Sequence, residues 1–315
     1  MSQGFTSKAI MKAIPIGSHS VVVNGTLLKI AQLKQEFYYE VEDPALFLGQ
    51  VKGSGVPIDI FTFLHAFPQD GSPHPYQMEW DNFAAIKITS YDDWLRNEIP
   101  KATRRGLRKA EEAGVVVRWV DFDDEFVRQV REIFNENPIR QGRRFWHYGK
   151  DIDAVREVLL RDFERCKFIG AYWKNELIGF IKLIYGRNFA RTTLILSKFA
   201  HRSKYTNNAM IAKAVKICVE QNIPYLVYGQ IDYGKVGNKT LADFKINNGF
   251  KKYDLARYYV PLTRKGALGL RLGLHHGMIA LLPKRLIQAG LRIRAAWNAR
   301  ASKTAQPGRD ASERE

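Results

Sequence analysis

Cysteine is scarce: Cys166 and Cys218 are the only two in 315 residues. Two thiols cannot build a disulfide scaffold or an all-cysteine zinc site, and their scarcity fits a reducing compartment. No apolar run reaches the 18 or so residues of a membrane-spanning helix. The segment Met1 to Ile16 carries Lys8 and Lys12 and has no continuous apolar stretch like that of a secretion signal. Dinucleotide-type GxGxxG and phosphate-loop motifs are missing, so nucleotide hydrolysis is not suggested. No Ser-His-Asp triad can be assigned, and the seven histidines show no metal-ligand spacing. The pair His275-His276 is expected to point apart on a helix. Acidic residues are also in short supply: 32 Asp and Glu face 49 Lys and Arg, a net charge of +17. An excess of that size implies an anionic partner such as nucleic acid, an acidic lipid surface or a phosphorylated substrate.

The charge divides the chain. From Thr263 onward there are 11 Lys/Arg and 3 Asp/Glu, so the last 53 residues carry +8. This basic segment mixes leucines with Arg271, Lys284, Arg285, Arg292 and Arg294, and Pro283 splits it. Its composition suits helices lying in a membrane interface or, alternatively, docked on the body; Thr304 to Glu315 read as disordered. Before it lies a globular chain. Ser20–Val23 and Thr26–Ile30 flank Asn24-Gly25, a hairpin signal. Glu36–Val41, Val56–Phe63 and Trp80–Ile88 continue the strand pattern. Pro100 opens a helix over 101–113 that Gly114 stops, followed by a strand at 115–120 and an amphipathic helix at 125–135. From Lys167 the order is strand, tight Lys174-Asn175 turn, strand, strand at 191–197, helix at 207–221, strand at 225–228, helix at 240–247 and strand at 253–262.

That β-β-β-α-β-α-β order resembles the core of the acyl-CoA N-acyltransferase (GNAT) superfamily. Leu241 to Phe250 looks like that superfamily's helix before a final strand, with a turn leading into Gly249-Phe250. Where ordinary members place a tyrosine that protonates the leaving thiolate, this chain has Lys245. A Phe244-Lys245 pair is similar instead to the FemABX-type peptidyltransferases, whose lysine polarises the acyl carbonyl. Arg105, Arg108-Lys109-Ala110 and Gly114 match those enzymes' RxxRKAxxxG segment. The resemblance covers roughly 85–262. It implies an α+β fold with a GNAT-like mixed sheet flanked by helices, divided as a β-rich companion domain over 1–95, a transferase domain over 96–262 and a basic tail over 263–315. The implied activity is acyl or aminoacyl transfer to an amine-bearing sugar, lipid or peptide precursor of the cell envelope or a surface polysaccharide. It implies a cytoplasmic protein, peripheral to the membrane if the tail binds lipid.

Within that frame Lys245 would polarise the acyl carbonyl, stabilising the developing oxyanion; alternatively it is a solvated surface lysine. Asp232 or His201 would accept the ammonium proton, or each is an ordinary loop residue. The 137–150 loop brings Arg140, Arg143, Trp146 and Tyr148 together, and Arg104, Arg105 and Lys109 line one helix. With Tyr233 they would bind an anionic or lipid-linked acceptor, or serve as a connector and a solvated helix face. The loop between the central strand and the next helix has no glycine, so it departs from the GNAT pyrophosphate loop. Arg202, Lys204, Tyr205 and Asn207 could still hold phosphate there. The donor is then acyl-CoA, acyl-carrier protein or aminoacyl-tRNA. The competing class is a non-catalytic, degenerate transferase fold that docks on RNA or anionic membrane.

Overall fold

Local chemistry sets the element boundaries in the computed structural model, which describes residues 13–17, 19–38, 41–68, 74–232 and 239–277. The chain opens with β1 (Ile14–Ile16), β2 (His19–Asn24) and β3 (Ile30–Leu33). The β2–β3 loop spans 25–29 rather than the two residues that Asn24-Gly25 suggested, although Gly25 does adopt φ +89°. Glu36 to Tyr38 form a turn, not a strand. Asp43 then caps α1 (Pro44–Gly53) by accepting the Leu46 N–H, with proline at the first helical position. β4 (Ile60–Leu64) and β5 (Gln77–Lys87) follow, then α2 (Tyr91–Asp93), which runs into a π-turn over Trp94–Glu98. Next come α3 (Lys101–Glu112), β6 (Val116–Val120), α4 (Asp124–Asn135), the small hairpin β7 (Ile139–Arg140) and β8 (Arg143–Arg144), and α5 (Ile152–Leu160). The last part is β9 (Cys166–Trp173), β10 (Glu176–Tyr185), β11 (Ala190–Ser197), a 3₁₀ segment Phe199–Lys204, α6 (Thr206–Glu220), β12 (Tyr225–Val227), α7 (Lys239–Asn247), β13 (Lys251–Pro261) and α8 (Arg264–Arg271).

Eleven of these strands form one mixed sheet in the order β1-β2-β3-β4-β13-β5-β12-β11-β10-β9-β6. The sheet runs without a break across the expected boundary at 95/96: β13, from the later part of the chain, pairs with both β4 and β5. Helices cover both faces. Met210, Ile211, Ala214 and Val215 of α6 pack on Ile169, Ala171 and Ile181. On the other face Phe126, Val130 and Phe134 of α4 and Val155 and Leu159 of α5 cover Phe168 and Phe180. Each apolar helix stripe thus buries against an alternating strand face.

The beginning of the basic segment is docked on this body. Thr263 caps α8, and its hydroxyl also bonds Asp59 at 2.9 Å. Gly266 packs so tightly that an added Cβ would lie 1.9 Å from the Asp59 carbonyl oxygen. His275 and His276 differ from expectation: instead of diverging, both turn toward Glu79. The remainder of the basic segment, including Lys284, Arg285, Arg292 and Arg294, lies outside the described residues, as does Tyr233.

Candidate active site

β12 is the shortest central strand, and its brevity leaves a notch in the sheet. It pairs in parallel with β11 only at Ala190↔Leu226 and Arg191↔Val227. On its other side it pairs with β5 at Lys87, Ile86 and Ala85, and Tyr228 and Gly229 add backbone bonds to Ala84. Beyond these points β11 continues to Ser197 and β5 extends back to Gln77 with no common neighbour among the described strands. The chain leaves the carboxyl end of β12 into this gap, the place where open α/β sheets gather ligands.

Buried polar groups concentrate there. Asn82 of β5 holds the exit loop: its Oδ1 accepts the N–H groups of Ile231 and Asp232, each at 3.0 Å, and its Nδ2 donates to the Asp232 carbonyl at 3.0 Å. Gln230 donates through Nε2 to Asp81, whose other oxygen accepts from Arg257 Nε at 3.2 Å. Arg257 closes a two-pronged pair on Glu36 at 2.9 and 3.0 Å. Lys245 completes the group. Its side chain is 0% exposed, and Nζ donates to the Gln230 carbonyl at 2.6 Å and sits 4.4 Å from the centre of the Tyr228 ring.

Lys245 is therefore not a solvated surface lysine. Burial, reinforced by the Arg191 charge, pushes its amine from 10.5 down to about 7, so charged and neutral forms coexist near neutral pH. Lys182, the other buried lysine among the described residues, makes the contrast plain. Its Nζ donates to the Leu159 and Arg161 carbonyls at the end of α5, an ordinary helix-capping task. Lys245 instead faces a loop at the sheet's notch.

The remaining predicted residues fall in three other places. Arg140 sits in an aromatic sandwich, with the centres of the Phe145 and Phe199 rings 4.9 and 4.7 Å from its guanidinium. It donates to the Ser197 and Ile133 carbonyls and pairs with Glu136 at 3.5 Å, so it is an internal brace rather than an open fork. Arg143, Trp146 and Tyr148 are exposed around the β7–β8 hairpin, while His147 stacks on Phe134 and is pushed by burial down to about 4.

The glycine-free loop after β11 is already satisfied from within. Glu136 accepts the backbone N–H groups of Phe199 and Ala200 at 2.7 and 3.0 Å. Lys198 bonds Glu176 and Glu132, and His201 lies 3.4 Å from Glu176. Lys204 sits over Trp173, Arg202 over Phe199, and Tyr205, in the left-handed region, leads into α6. The Asn207 side-chain oxygen is buried with no partner among the described residues.

Arg104, Arg105 and Lys109 lie on α3, whose Thr103 bonds the Asn247 carbonyl at the end of α7 at 2.8 Å. Arg104 donates to the Leu95, Arg96 and Ile99 carbonyls, closing the π-turn; Arg105 and Lys109 are exposed. Between α3 and α6 runs a groove of about 600 Å³ whose cations are Lys101, Arg104, Arg108, Lys213 and Lys216 against the single acid Glu111. The sequence reading missed Asp81, Asn82, Glu136 and Arg257. The first two carried a signal, since an Asp-Asn pair directly precedes the apolar stretch Phe83 to Ile86 of a central strand.

No family model matches the sequence, and no curated protein sequence matches it either. Solved structures do. The C-terminal domain of a putative lysylphosphatidylglycerol synthetase from Agrobacterium fabrum superposes with a TM-score of 0.53 at 12% identity, over 82% of this chain and 86% of that one. FemX gives 0.48 at 12% identity, over 78% and 86%. L-PGS from Bacillus licheniformis gives 0.48 at 14% identity, over 80% and 85%. The chain has a FemABX/GNAT-like fold.

Proposed function

We propose that this protein is an aminoacyl or acyl transferase that acts on an amine-bearing cell-envelope precursor, with its reaction centre in the notch beside β12. The observation that carries the reading is Lys245: a fully buried lysine with an amine near neutrality, aimed at the loop leaving the central strand. In the reaction its Nζ exchanges the Gln230 carbonyl for the acyl carbonyl of the donor and stabilises the oxyanion as the amine attacks. Asp232, held at the notch by Asn82, takes the proton that the acceptor's amine sheds as its nitrogen bonds the acyl carbon, and collapse of the oxyanion breaks the acyl–donor bond, the donor's hydroxyl or thiol leaving with that proton. Asp81 and Gln230 hold the loop that aligns both groups.

Two features favour a donor carried on a macromolecule over free acyl-CoA. The N–H groups that begin the loop after β11 are occupied by the Glu136 carboxylate, which would have to leave before a pyrophosphate could enter. The α3–α6 groove offers five cations to a polyanion, and a charged tRNA is such a polyanion. Discharge of mixed aminoacyl-tRNA and of acetyl-CoA, each with an extract of envelope precursors, tests this. Enzyme-dependent discharge of the tRNA alone supports the reading. Turnover of acetyl-CoA alone would reverse the donor assignment, and discharge of neither would remove the activity.

A further inference from the structure

Three metal-ligating side chains meet away from the notch's lysine. Glu79 lies near the start of β5, and His275 and His276 lie on the 3₁₀ turn Leu274–His276 after α8. His275 Nε2 is 2.8 Å from Glu79 Oε1, and His276 Nε2 is 3.3 Å from the same oxygen. The donor atoms of all three lie within 4.8 Å of one another. Neighbouring residues on regular backbone project in different directions. Here Gly273 and Gly277, at φ +69° and +78°, bracket the turn and fold it so that the two rings lie 3.9 Å apart. The Tyr259 ring packs edge-to-face with the His275 ring, their centres 4.7 Å apart, and the His275 side chain is 2% exposed.

We propose that Glu79, His275 and His276 form a divalent transition-metal site, for which Zn²⁺ is the best-suited ion. Two imidazole nitrogens and one carboxylate oxygen match zinc's preferred donors, and they are too few and too nitrogen-rich for calcium or magnesium. A tetrahedral ion about 2.1 Å from each donor holds donors roughly 3.4 Å apart. The two spacings to Glu79 Oε1, 2.8 and 3.3 Å, need to open by only tenths of an ångström, and the spacing between the two imidazole donors lies within 4.8 Å. Three protein ligands leave one position open for water or another small donor. The ion would tie the segment after α8 to β5 at the register where Glu79 faces Arg257.

The test uses the full chain without an added histidine tag, stripped by a chelator and then titrated with Zn²⁺ against a chromophoric competitor. One equivalent of zinc should bind, Co²⁺ should give the visible absorption of a low-coordinate site, and Zn²⁺ should raise the melting temperature. Glu79→Gln keeps the side chain's shape and removes its charge. It should weaken zinc binding by more than the roughly 10–100-fold typical of losing an outer-shell partner, and it should abolish the thermal shift. Should that variant fail to fold, His276→Gln, at a partly exposed position, provides the same readout. Absence of stoichiometric zinc uptake, or uptake undiminished in these variants, would overturn the proposal.

Discussion

Lys245→Met removes a buried charge while keeping an unbranched chain one atom shorter, and the structure sets the expected effect. The amine titrates at about 7 in the fold against 10.5 ordinarily, through burial first and the Arg191 charge second. Each tenfold change in proton affinity corresponds to about 1.4 kcal/mol, so the protonated lysine costs the fold about 4–5 kcal/mol. Between pH 7 and 10.5 the unfolded chain binds the proton that the folded chain has lost. Stability of the wild type therefore rises with pH across that window, and nearly the full cost is present at pH 7. Methionine removes that cost but leaves the Gln230 carbonyl without its 2.6 Å donor, a loss of about 1–3 kcal/mol. At pH 7 the variant should be more stable by about 2 kcal/mol and melt a few degrees higher. The advantage should disappear by pH 10. Urea unfolding of both proteins at pH 6.5, 8 and 9.5 measures this. Parallel pH profiles, or a variant several kcal/mol weaker at pH 7, would refute the reasoning.

Further expectations rest on separate contacts. Glu136→Ala should lower stability by about 2–3 kcal/mol, since it strips two backbone N–H groups and Arg140 of their acceptor. The same variant should gain a calorimetrically measurable affinity for pyrophosphate that the parent lacks. Gly266→Ala should prevent α8 from seating, because its Cβ would fall 1.9 Å from the Asp59 carbonyl oxygen; limited proteolysis after residue 262 reads that loss. His147 binds its proton only near pH 4 in the fold, below its usual 6.5, because it is buried. Stability should thus fall as pH drops from 6.5 through 4, by up to about 3 kcal/mol; His147→Phe should flatten this acid limb in a melting series. Replacing Lys213 and Lys216 by Ser should weaken tRNA binding and reduce its salt slope by about one or two in a filter-binding titration.

Much of the later half was legible because its signals are local. The Lys174-Asn175 turn adopts positive φ at both residues, Pro100 and Gly114 bracket α3, and apolar spacing marked α6. The early part was harder. Glu36 reads as strand by pattern, yet its carboxylate is held by Arg257, 221 residues away, and a pairing at that distance leaves no local trace. Helix α1 was announced by Asp43-Pro44 and overlooked between two strand-like stretches. For the site, the Phe244-Lys245 pair drew attention to Lys245 through resemblance, but its burial depends on how α7 seats against the loop of Gln230. Arg140 misled in the opposite sense. Its loop's cations and aromatics suggested a ligand clamp, whereas Glu136 and two phenylalanine rings satisfy it internally. The convergence of His275 and His276 was invisible because it depends on left-handed backbone at the flanking Gly273 and Gly277.

The most direct test of the account is the rate of aminoacyl-tRNA discharge by wild-type protein and by Lys245→Met at pH 7, with folding of both verified by their melts. The account predicts a rate reduced by roughly 10²–10³ in a protein that melts no lower than its parent. Equal rates from the two proteins would contradict it, because the buried amine at the notch would then have no part in the transfer.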